Sequence, residues 1–288
     1  MNYTVKAAAR ATGVSESRLR TWERRYGIPH PGRAATGRRL YSEEDLEVVR
    51  RMATLVEAGM SAAQAAEAAK SGVEEELAPA RPEHELAAVM ARAAESYDEA
   101  SAVGAIRRAV DELGWDGALV EVIFPALNRV GLYWQTAALA PASEHFVSEL
   151  VRREILAAIS VLPTQSPEAP TVLLACPEEE RHDLGLAGLS LLLRRAGIQT
   201  IYLGADVPAS DIIESWDVAQ PDAICLSATS GEGLASLIRA SRLITAGRRP
   251  LLFVGGPSVG NGAEAIGIKL PASVSAAAEM IATRLRQR

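Results

Sequence analysis

The sequence contains few of the residues that form covalent or metal-based scaffolds. Of 288 residues, two are cysteines and four are histidines. Cys176 and Cys225 each end an apolar run typical of a core strand, so we expect buried thiols in a reducing compartment rather than a disulfide or metal pair. No apolar run approaches the roughly 20 residues that span a bilayer, and the N-terminus lacks the apolar core of a secretory signal. These absences predict a cytoplasmic protein that does not enter a membrane.

Charge is distributed unevenly along the chain. Residues 1–41 contain nine Lys and Arg against two Glu, which gives a net charge of +7. The total is −6, so the remaining residues carry −13. A basic end on an acidic body is typical of a protein that binds a polyanion through that end only.

The basic end has the spacing of a helix-turn-helix. Gly13 separates two short helical patterns, Ser15 is a candidate N-cap, and the second helix is predicted to end at Gly27. In that helix Leu19 and Trp22 would face inward. The arginine-rich loop that follows is bounded by Pro and Gly and predicts a wing that lies on phosphates. A solvated basic helix is the alternative interpretation.

Three stretches of this region, "LRTWERRYG", "GRRLYSEEDL" and "LVEAGMSAAQA", resemble the winged-helix domain of MerR-family transcription regulators. The resemblance covers about residues 3–70 and implies binding to operator double-stranded DNA, with the second helix in the major groove. Metal-sensing members carry cysteines after a long dimerisation helix, and their absence here implies a different effector. By position, the implied DNA contacts are Arg18, Thr21, Arg24 and Arg25 on the helix, and Arg38, Arg39 and Tyr41 on the wing.

A second region is entirely helical in pattern. A Gly-, Pro- and acid-rich segment at about residues 71–85 predicts a domain boundary. Over residues 86–162, apolar residues at three- and four-residue spacing predict four helices that form a bundle. Trp134 is followed, after nine intervening residues, by Glu144 and His145 at the start of the last helix. Taken alone, this pair is better explained as a first turn that complements the dipole of that helix.

The C-terminal half alternates apolar runs with helical patterns. The runs "PTVLLAC", "QTIYLG", "DAICLS" and "PLLFVGG" predict buried parallel strands of a doubly wound α/β sheet. Such sheets bind ligands outside the carboxyl ends of their strands. Each candidate motif, "EERHDLG", "GADVP", "SATSGEG" and "GGPSVG", follows one of these strands. The G-x-G-x-x-G of dinucleotide folds is absent after the first strand.

His182 lies in the loop after the first of these strands, between acidic residues. It is therefore predicted to project toward the crevice rather than into the core. A neutral imidazole binds transition metals, and an adjacent carboxylate can fix its tautomer. No other ligand lies at zinc spacing, which favours a metal already held by an organic ring.

The residues "ERHDLG", the serine of "LSAT" and the paired glycines of "VGGP" resemble the signature of cobalamin-binding domains. The resemblance implies that His182 is the lower axial ligand of cobalt, with Glu180 or Asp183 as its hydrogen-bonding partner. Thr229 stands where the family motif has leucine. The implied channel for the nucleotide tail is formed by Gly185, Ser227, Thr229, Gly255 and Gly256.

The three regions together resemble the CarH/LitR family of light-responsive, cobalamin-dependent regulators over nearly the whole chain. They divide it into a winged-helix domain (1–72), a helical-bundle cap (85–163) and a flavodoxin- or Rossmann-like cobalamin-binding domain (168–288). The resemblance implies that Trp134, Glu144 and His145 cover the upper face of adenosylcobalamin. It also implies a photoreceptor and repressor, whose dark homotetramer covers its operator and whose cobalt–carbon bond breaks in light to release the DNA.

Gln135 departs from this pattern. Well-known members have a histidine there that binds cobalt after illumination, and an amide is a poor cobalt ligand. We therefore expect water or His145 in its place, with methylcobalamin as the alternative to adenosylcobalamin. A regulator that senses cobalamin itself, or haem or a bilin, stays open. A corrinoid methyltransferase-type subunit is disfavoured, because such an enzyme has no use for a winged helix and no substrate barrel is present.

Overall fold

The structure, a computed structural model, describes residues 3–33, 38–57, 62, 65–66, 68–70, 82–135, 141–247, 251–260 and 266–287. These residues fall into two units, Met1–Ala80 and Arg81–Arg288. Each unit has its own buried residues. Within the described residues no helix is both long and apolar enough to cross a membrane.

The first unit begins with the predicted helix-turn-helix, formed by α1 (Val5–Thr12) and α2 (Glu16–Tyr26). Gly13 ends α1 with a φ of 71°, a conformation that glycine adopts without strain. Ser15 caps α2, because its Oγ accepts a hydrogen bond from the backbone N–H of Arg18 at 3.3 Å. Leu19 and Trp22 are buried, as the helical spacing predicted.

The predicted wing is present as a two-stranded antiparallel ribbon of β1 (Gly32–Arg33) and β2 (Arg39–Leu40). Residues 34–37 lie outside the described part of the chain. Helix α3 (Glu43–Glu57) follows and starts with a reciprocal cap. Ser42 N–H donates to Asp45 Oδ2 at 2.8 Å, and Asp45 N–H donates to Ser42 Oγ at 3.1 Å. Two backbone donors at the start of the helix are thereby satisfied.

The second unit opens with the four predicted helices: α4 (Pro82–Ser96), α5 (Glu99–Gly117), α6 (Phe124–Gln135) and α7 (Pro141–Ser160). A π-helical segment, Ala118–Ile123, joins α5 to α6. Near its end α5 is broken at Gly114, whose φ of 68° and ψ of 173° are not helical. Gly114 can adopt this conformation because glycine has no Cβ.

The sheet consists of β3 (Thr171–Pro177), β4 (Gln199–Val207), β5 (Ala223–Ser227), β6 (Leu251–Gly255) and β7 (Ile268–Lys269). All pairs are parallel and the spatial order is β4-β3-β5-β6-β7. The helices are α8 (Leu184–Arg195), α9 (Ala209–Ala219), α10 (Gly231–Gly247) and α11 (Val274–Arg286). The chain therefore reverses direction across the sheet between β3 and β5, where doubly wound folds bind ligands. The two-residue β7 is too short to leave a pattern in the sequence.

Alternate residues of each central strand face different cores. Leu173 and Ile224 pack with α9 and α10. Val172 and Cys225 face the opposite core, which also contains α8, α11 and the bundle. Gly188 on α8 lies against this bundle, since a Cβ there would come within 3.2 Å of the Phe124 ring. Bundle and sheet thus pack into one shared core within the second unit.

Both cysteines are free and buried in the sheet, as predicted. Burial raises the pKa of Cys225 to about 12 and also raises the pKa of Cys176. Thiols of this kind stay protonated and behave as small apolar side chains.

Candidate functional site

The polar residues predicted from the sequence converge at the carboxyl ends of β3 and β5, the strands between which the topology reverses. One loop, residues 178–183, follows β3. The other, residues 228–230, follows β5 and leads into α10. Two loops that leave adjacent parallel strands in opposite directions form a crevice suited to a ligand.

Glu180 joins the two loops through a fully buried carboxylate. Its Oε1 accepts from the backbone N–H and the ring Nδ1 of His182, at 2.9 and 2.8 Å. Its Oε2 accepts from the backbone N–H groups of Thr229 and Ser230, at 2.6 and 2.8 Å. Burial alone would raise the pKa of Glu180, but these hydrogen bonds outweigh it and lower the pKa to about 2. The carboxylate is therefore ionised and points its charge at His182 and at the start of α10.

His182 is held at one ring nitrogen and exposed beyond it. An ionised carboxylate can only accept hydrogen bonds, so the Nδ1 that contacts Glu180 carries the proton. The Nε2 of the neutral ring is then left with a free lone pair. The side chain is 68% exposed, which leaves this edge open to a ligand. The Glu180 hydrogen bond raises the pKa of His182, and the negative charge of Glu144 contributes in the same direction.

Asp183 points to the bundle and not to the imidazole. Its Oδ1 accepts from Arg152 Nη2 at 2.6 Å, and its Oδ2 accepts from Arg152 Nη1 at 3.0 Å and from the Tyr202 hydroxyl at 2.7 Å. Burial would raise the pKa of Asp183, but Arg152 and Tyr202 lower it instead. Of the two predicted partners of His182, Glu180 alone makes the hydrogen bond to its ring.

Small residues surround the crevice. Gly185 lies in the first turn of α8, and a Cβ there would have no neighbour within 4 Å. Ser227 and Gly255 lie opposite each other at the carboxyl ends of β5 and β6. Gly256 has a φ of 102°, and a Cβ there would overlap the Ala228 carbonyl oxygen. Gly185 therefore borders open space, while Gly256 is required by the backbone itself.

Thr229 contributes its backbone to the site. Its N–H donates to Glu180, and its carbonyl oxygen accepts from the Ser258 hydroxyl at 2.5 Å. The family motif has leucine here, and neither of these hydrogen bonds uses the side chain. The threonine thus leaves the hydrogen bonds that bind the Glu180 carboxylate intact.

Two further residues next to the Glu180 carboxylate, Ser230 and Gly233, were not identified from the sequence. Ser230 accepts from the backbone N–H of Gly233 at 2.9 Å and caps the start of α10. A Cβ at Gly233 would overlap the carboxylate of Glu180. The small residues of "SATSGEG" were the available signal, since a serine followed by Gly-Glu-Gly is compatible with a helix start. Nothing in the pattern indicated that a carboxylate from another loop binds there.

The predicted residues of the bundle lie at the start of α7. Glu144 accepts a hydrogen bond from the Ser148 hydroxyl at 2.7 Å, and its other oxygen lies 3.5 Å from Nδ1 of the exposed His145. Trp134 and Gln135 belong to the last turn of α6, but their side chains lie outside the described residues.

The candidate DNA-binding surface lies on α2. Arg18, Arg24 and Arg25 are exposed, as expected for side chains that reach a groove or phosphates. Thr21 is partly buried, and its hydroxyl donates to the Ser17 carbonyl oxygen at 2.9 Å. The hydroxyl oxygen can still accept a hydrogen bond from a base, and the methyl group can make an apolar contact with one.

On the wing, Arg38 is exposed, while Arg39 donates through Nε to Glu23 on α2 at 2.7 Å. Tyr41, predicted from the sequence as a DNA contact, lies in the core of the first unit. It pairs with Tyr3 in an antiparallel bridge, its side chain is fully buried, and its hydroxyl has no partner among the described residues. The residue belongs to the core of the domain because its aromatic ring, unlike the arginines, gains from burial.

Comparison with known proteins gives the family of the chain. The family model "MerR HTH family regulatory protein" matches residues 3–71, and two models of B12 binding domains match residues 86–158 and 170–270. The chain is 32% identical to the HTH-type transcriptional repressor CarH of Myxococcus xanthus over 235 aligned residues. The aligned region covers 78% of this chain and 78% of that protein. The chain belongs to the family of MerR-type, B12-binding transcription regulators that includes CarH.

A second relative agrees with this assignment, and a solved structure shares the fold of the second unit. The HTH-type transcriptional repressor CarA of Myxococcus xanthus is 33% identical over 244 residues, 83% of this chain and 81% of that protein. The monomethylamine corrinoid protein of Methanosarcina barkeri has a TM-score of 0.58 at 17% identity and covers 68% of this chain and 96% of its own. That likeness concerns the fold alone. The sequence-based identification of a MerR-type regulator with B12-binding domains is confirmed, so this CarH-family regulator binds DNA and has cobalamin as its cofactor.

The residues of this CarH-family protein fit cobalamin. His182 offers one free ring nitrogen, and the described residues include no group of three or more His, Cys, Asp and Glu that could hold a metal ion by themselves. Cobalt enclosed in a corrin ring needs only one nitrogen from the protein below it. Gly185, three residues after His182, borders open space that could admit an organic group.

Proposed function

We propose that this protein is a light-responsive repressor that binds adenosylcobalamin through His182 and covers its operator as a dark tetramer. The observation that carries the proposal is the Glu180–His182 pair, in which Nδ1 is hydrogen-bonded and Nε2 has no hydrogen bond to the residues that the structure describes. A metal-binding histidine is normally oriented by such a hydrogen bond from its other nitrogen. Bound adenosylcobalamin would supply a cobalt–carbon bond that visible light breaks.

The chain contributes residues to both sides of the proposed site. Glu180 fixes the tautomer and direction of the imidazole below the corrin. Glu144 and His145 on α7, together with Trp134, are proposed to cover the upper face. The negative charge of Glu144 contributes to the raised pKa of His182, which supports a position of Glu144 near the histidine. Asp183, Ser227, Thr229 and the glycines at 185, 255 and 256 are proposed to line the site of the nucleotide tail.

DNA release follows if cobalamin stabilises the tetramer more than its separate protomers, and if light removes that difference. When several winged-helix domains are joined in one assembly, the binding of one to the operator raises the effective concentration of the others there. Each domain alone would bind weakly, through arginines such as Arg18, Arg24, Arg25 and Arg38. Dissociation of the tetramer is therefore sufficient to release the DNA.

Size-exclusion chromatography of the protein loaded with adenosylcobalamin tests the proposal. We expect a tetramer in the dark and smaller species after green light, with a parallel loss of binding to DNA from upstream of its own gene. His182→Ala is expected to remove cobalamin binding and the tetramer. The proposal is wrong if that variant binds adenosylcobalamin as tightly as the wild type, or if the loaded protein is the same size in both conditions and light leaves the cofactor intact.

Gln135 favours a second candidate, a regulator that senses the amount of cobalamin. The residue next to Trp134 is an amide where a cobalt-binding histidine would be expected. In that case adenosylcobalamin or methylcobalamin would assemble the oligomer, and illumination would not disassemble it. The chromatographic experiment separates the two candidates.

A further inference from the structure

Asp183 occupies the N-cap position of α8 but makes no side-chain hydrogen bond to that helix. An aspartate at this position ordinarily accepts from the backbone N–H two or three residues later. Here both oxygens are directed away from α8, to Arg152 on α7 and to Tyr202 on β4. Asp183, the residue after His182, therefore binds the bundle instead of capping its own helix.

The contact between Arg152 and Asp183 is a bidentate pair with little access to water. The aspartate side chain is 6% exposed and the arginine side chain 29%. Two parallel N–H···O bonds fix both the distance and the orientation of the groups they join. The pair thus attaches α7 directly to the loop that carries His182.

Arg152 shares a face of α7 with the proposed upper-face residue. Glu144, Ser148 and Arg152 follow one another at intervals of four residues, and Ser148 donates to Glu144 at 2.7 Å. Residues four apart lie one above the other on a helix. One helix therefore presents Glu144 at its start and, two turns later, the arginine that binds beside the proposed lower ligand.

We propose that Arg152 is a positioning residue that fixes α7 relative to the His182 loop, so that cobalamin is bound from above and below by one rigid body. This inference rests on the proposed function. Asp183 is the residue of that loop that Arg152 binds. Tyr202 on the edge strand β4 donates a hydrogen bond to the same carboxylate. His182 lies between two fixed points, Glu180 on the sheet side and Asp183 on the bundle side.

Titration of Arg152→Met with adenosylcobalamin and with hydroxocobalamin tests the proposal. Hydroxocobalamin has no adenosyl group for the bundle to contact, so it depends little on the position of α7. We expect affinity for adenosylcobalamin to fall about tenfold and affinity for hydroxocobalamin to fall less than about threefold. The absorption spectrum of the bound cofactor should still show ligation by His182.

Arg153→Met is the matched control on the same helix. Arg153 pairs with Glu99 inside the bundle at 2.6 Å, with both side chains 56% exposed. This variant should bind both cobalamins as the wild type does. Equal losses for the two cobalamins in Arg152→Met, or no difference between the variants, would show that Arg152 has a structural role only.

If Arg152→Met folds poorly, Asp183→Asn and the double variant Arg152→Met/Asp183→Asn provide the test. Asp183→Asn leaves Arg152 paired with Glu149 at 3.3 Å, and the double variant removes both buried charges. Both should show the same selective loss for adenosylcobalamin, and the double variant should be no worse than the single one. Unselective binding by both would overturn the proposal. If the wild type binds neither cobalamin, the proposed function itself fails.

Discussion

A buried carboxylate such as that of Glu180 is costly unless hydrogen bonds satisfy it. Here two backbone N–H groups of the other loop and the imidazole of His182 supply them. The two backbone N–H groups lie just before α10. The Glu180 carboxylate therefore stabilises the fold at the start of that helix and also orients the proposed cobalt ligand. The two roles can be separated by measuring stability and cobalamin affinity in the same variant.

Glu180→Gln is expected to impair both properties. The amide NH₂ would face donors, so we expect a loss of about 1–3 kcal/mol in the free energy of unfolding. Weaker orientation of the imidazole should lower cobalamin affinity by about 10–100-fold. Denaturant unfolding and absorbance titration measure the two effects. Glu178→Gln, at an exposed position of the same loop, should change neither, and a similar effect at both positions would contradict the argument.

Two glycines of the crevice are expected to respond differently to substitution. Gly185→Ala places its Cβ in open space on a helix, so the cofactor-free protein should be as stable as the wild type or slightly more stable. Its affinity for cobalamin should fall if the nucleotide tail occupies that space. Gly256→Ala should destabilise the cofactor-free protein by more than about 2 kcal/mol, because its φ is positive and its Cβ overlaps Ala228. Melting of the cofactor-free variants, followed by titration, checks both outcomes.

At the scale of elements, the wing of the first unit is attached to α2 by Arg39 and Glu23 and anchored by the buried Tyr41. Tyr41→Phe removes a buried hydroxyl that has no partner among the described residues. We expect unchanged or slightly greater stability, since an unpaired buried polar group is unfavourable. DNA affinity in a gel-shift titration should be unchanged. A large loss of DNA binding would restore the role predicted from the sequence, and Arg38→Ala provides a comparison at an exposed wing position.

Elements were predictable here because their signals are local. Continuous apolar runs identified β3 to β6, and Gly13, Ser15 and Gly27 identified the ends of the first helices. His182 could be placed in the crevice because it follows a strand. Glu180 was predicted as a partner of His182 because the two are close in the chain. The contacts of Glu180 with the loop after β5, and of Asp183 with Arg152 and Tyr202, could not be predicted, because they join residues far apart in the chain whose spacing has no period. The burial of Tyr41 was not predicted, because a wing motif does not distinguish a core ring from a contact residue.

At the scale of the whole molecule, cobalamin binding and DNA binding are expected to be coupled. If adenosylcobalamin raises the affinity for operator DNA by some factor, the DNA must raise the affinity for adenosylcobalamin by the same factor. Titrating the protein with adenosylcobalamin in the dark, with and without upstream DNA, measures that factor directly. A shuffled DNA of equal length is the control. Equal cofactor affinity in both titrations would exclude the coupling on which the proposed repressor depends.

The missing cap of α8 has a consequence for the folding of residues 81–288. The first turn of that helix cannot be fixed by Asp183 alone, because its carboxylate is held by an arginine of the bundle. Sheet and bundle should therefore gain and lose their order together, as a single cooperative step. Differential scanning calorimetry should accordingly show one heat-absorption peak for both layers, rather than one for each.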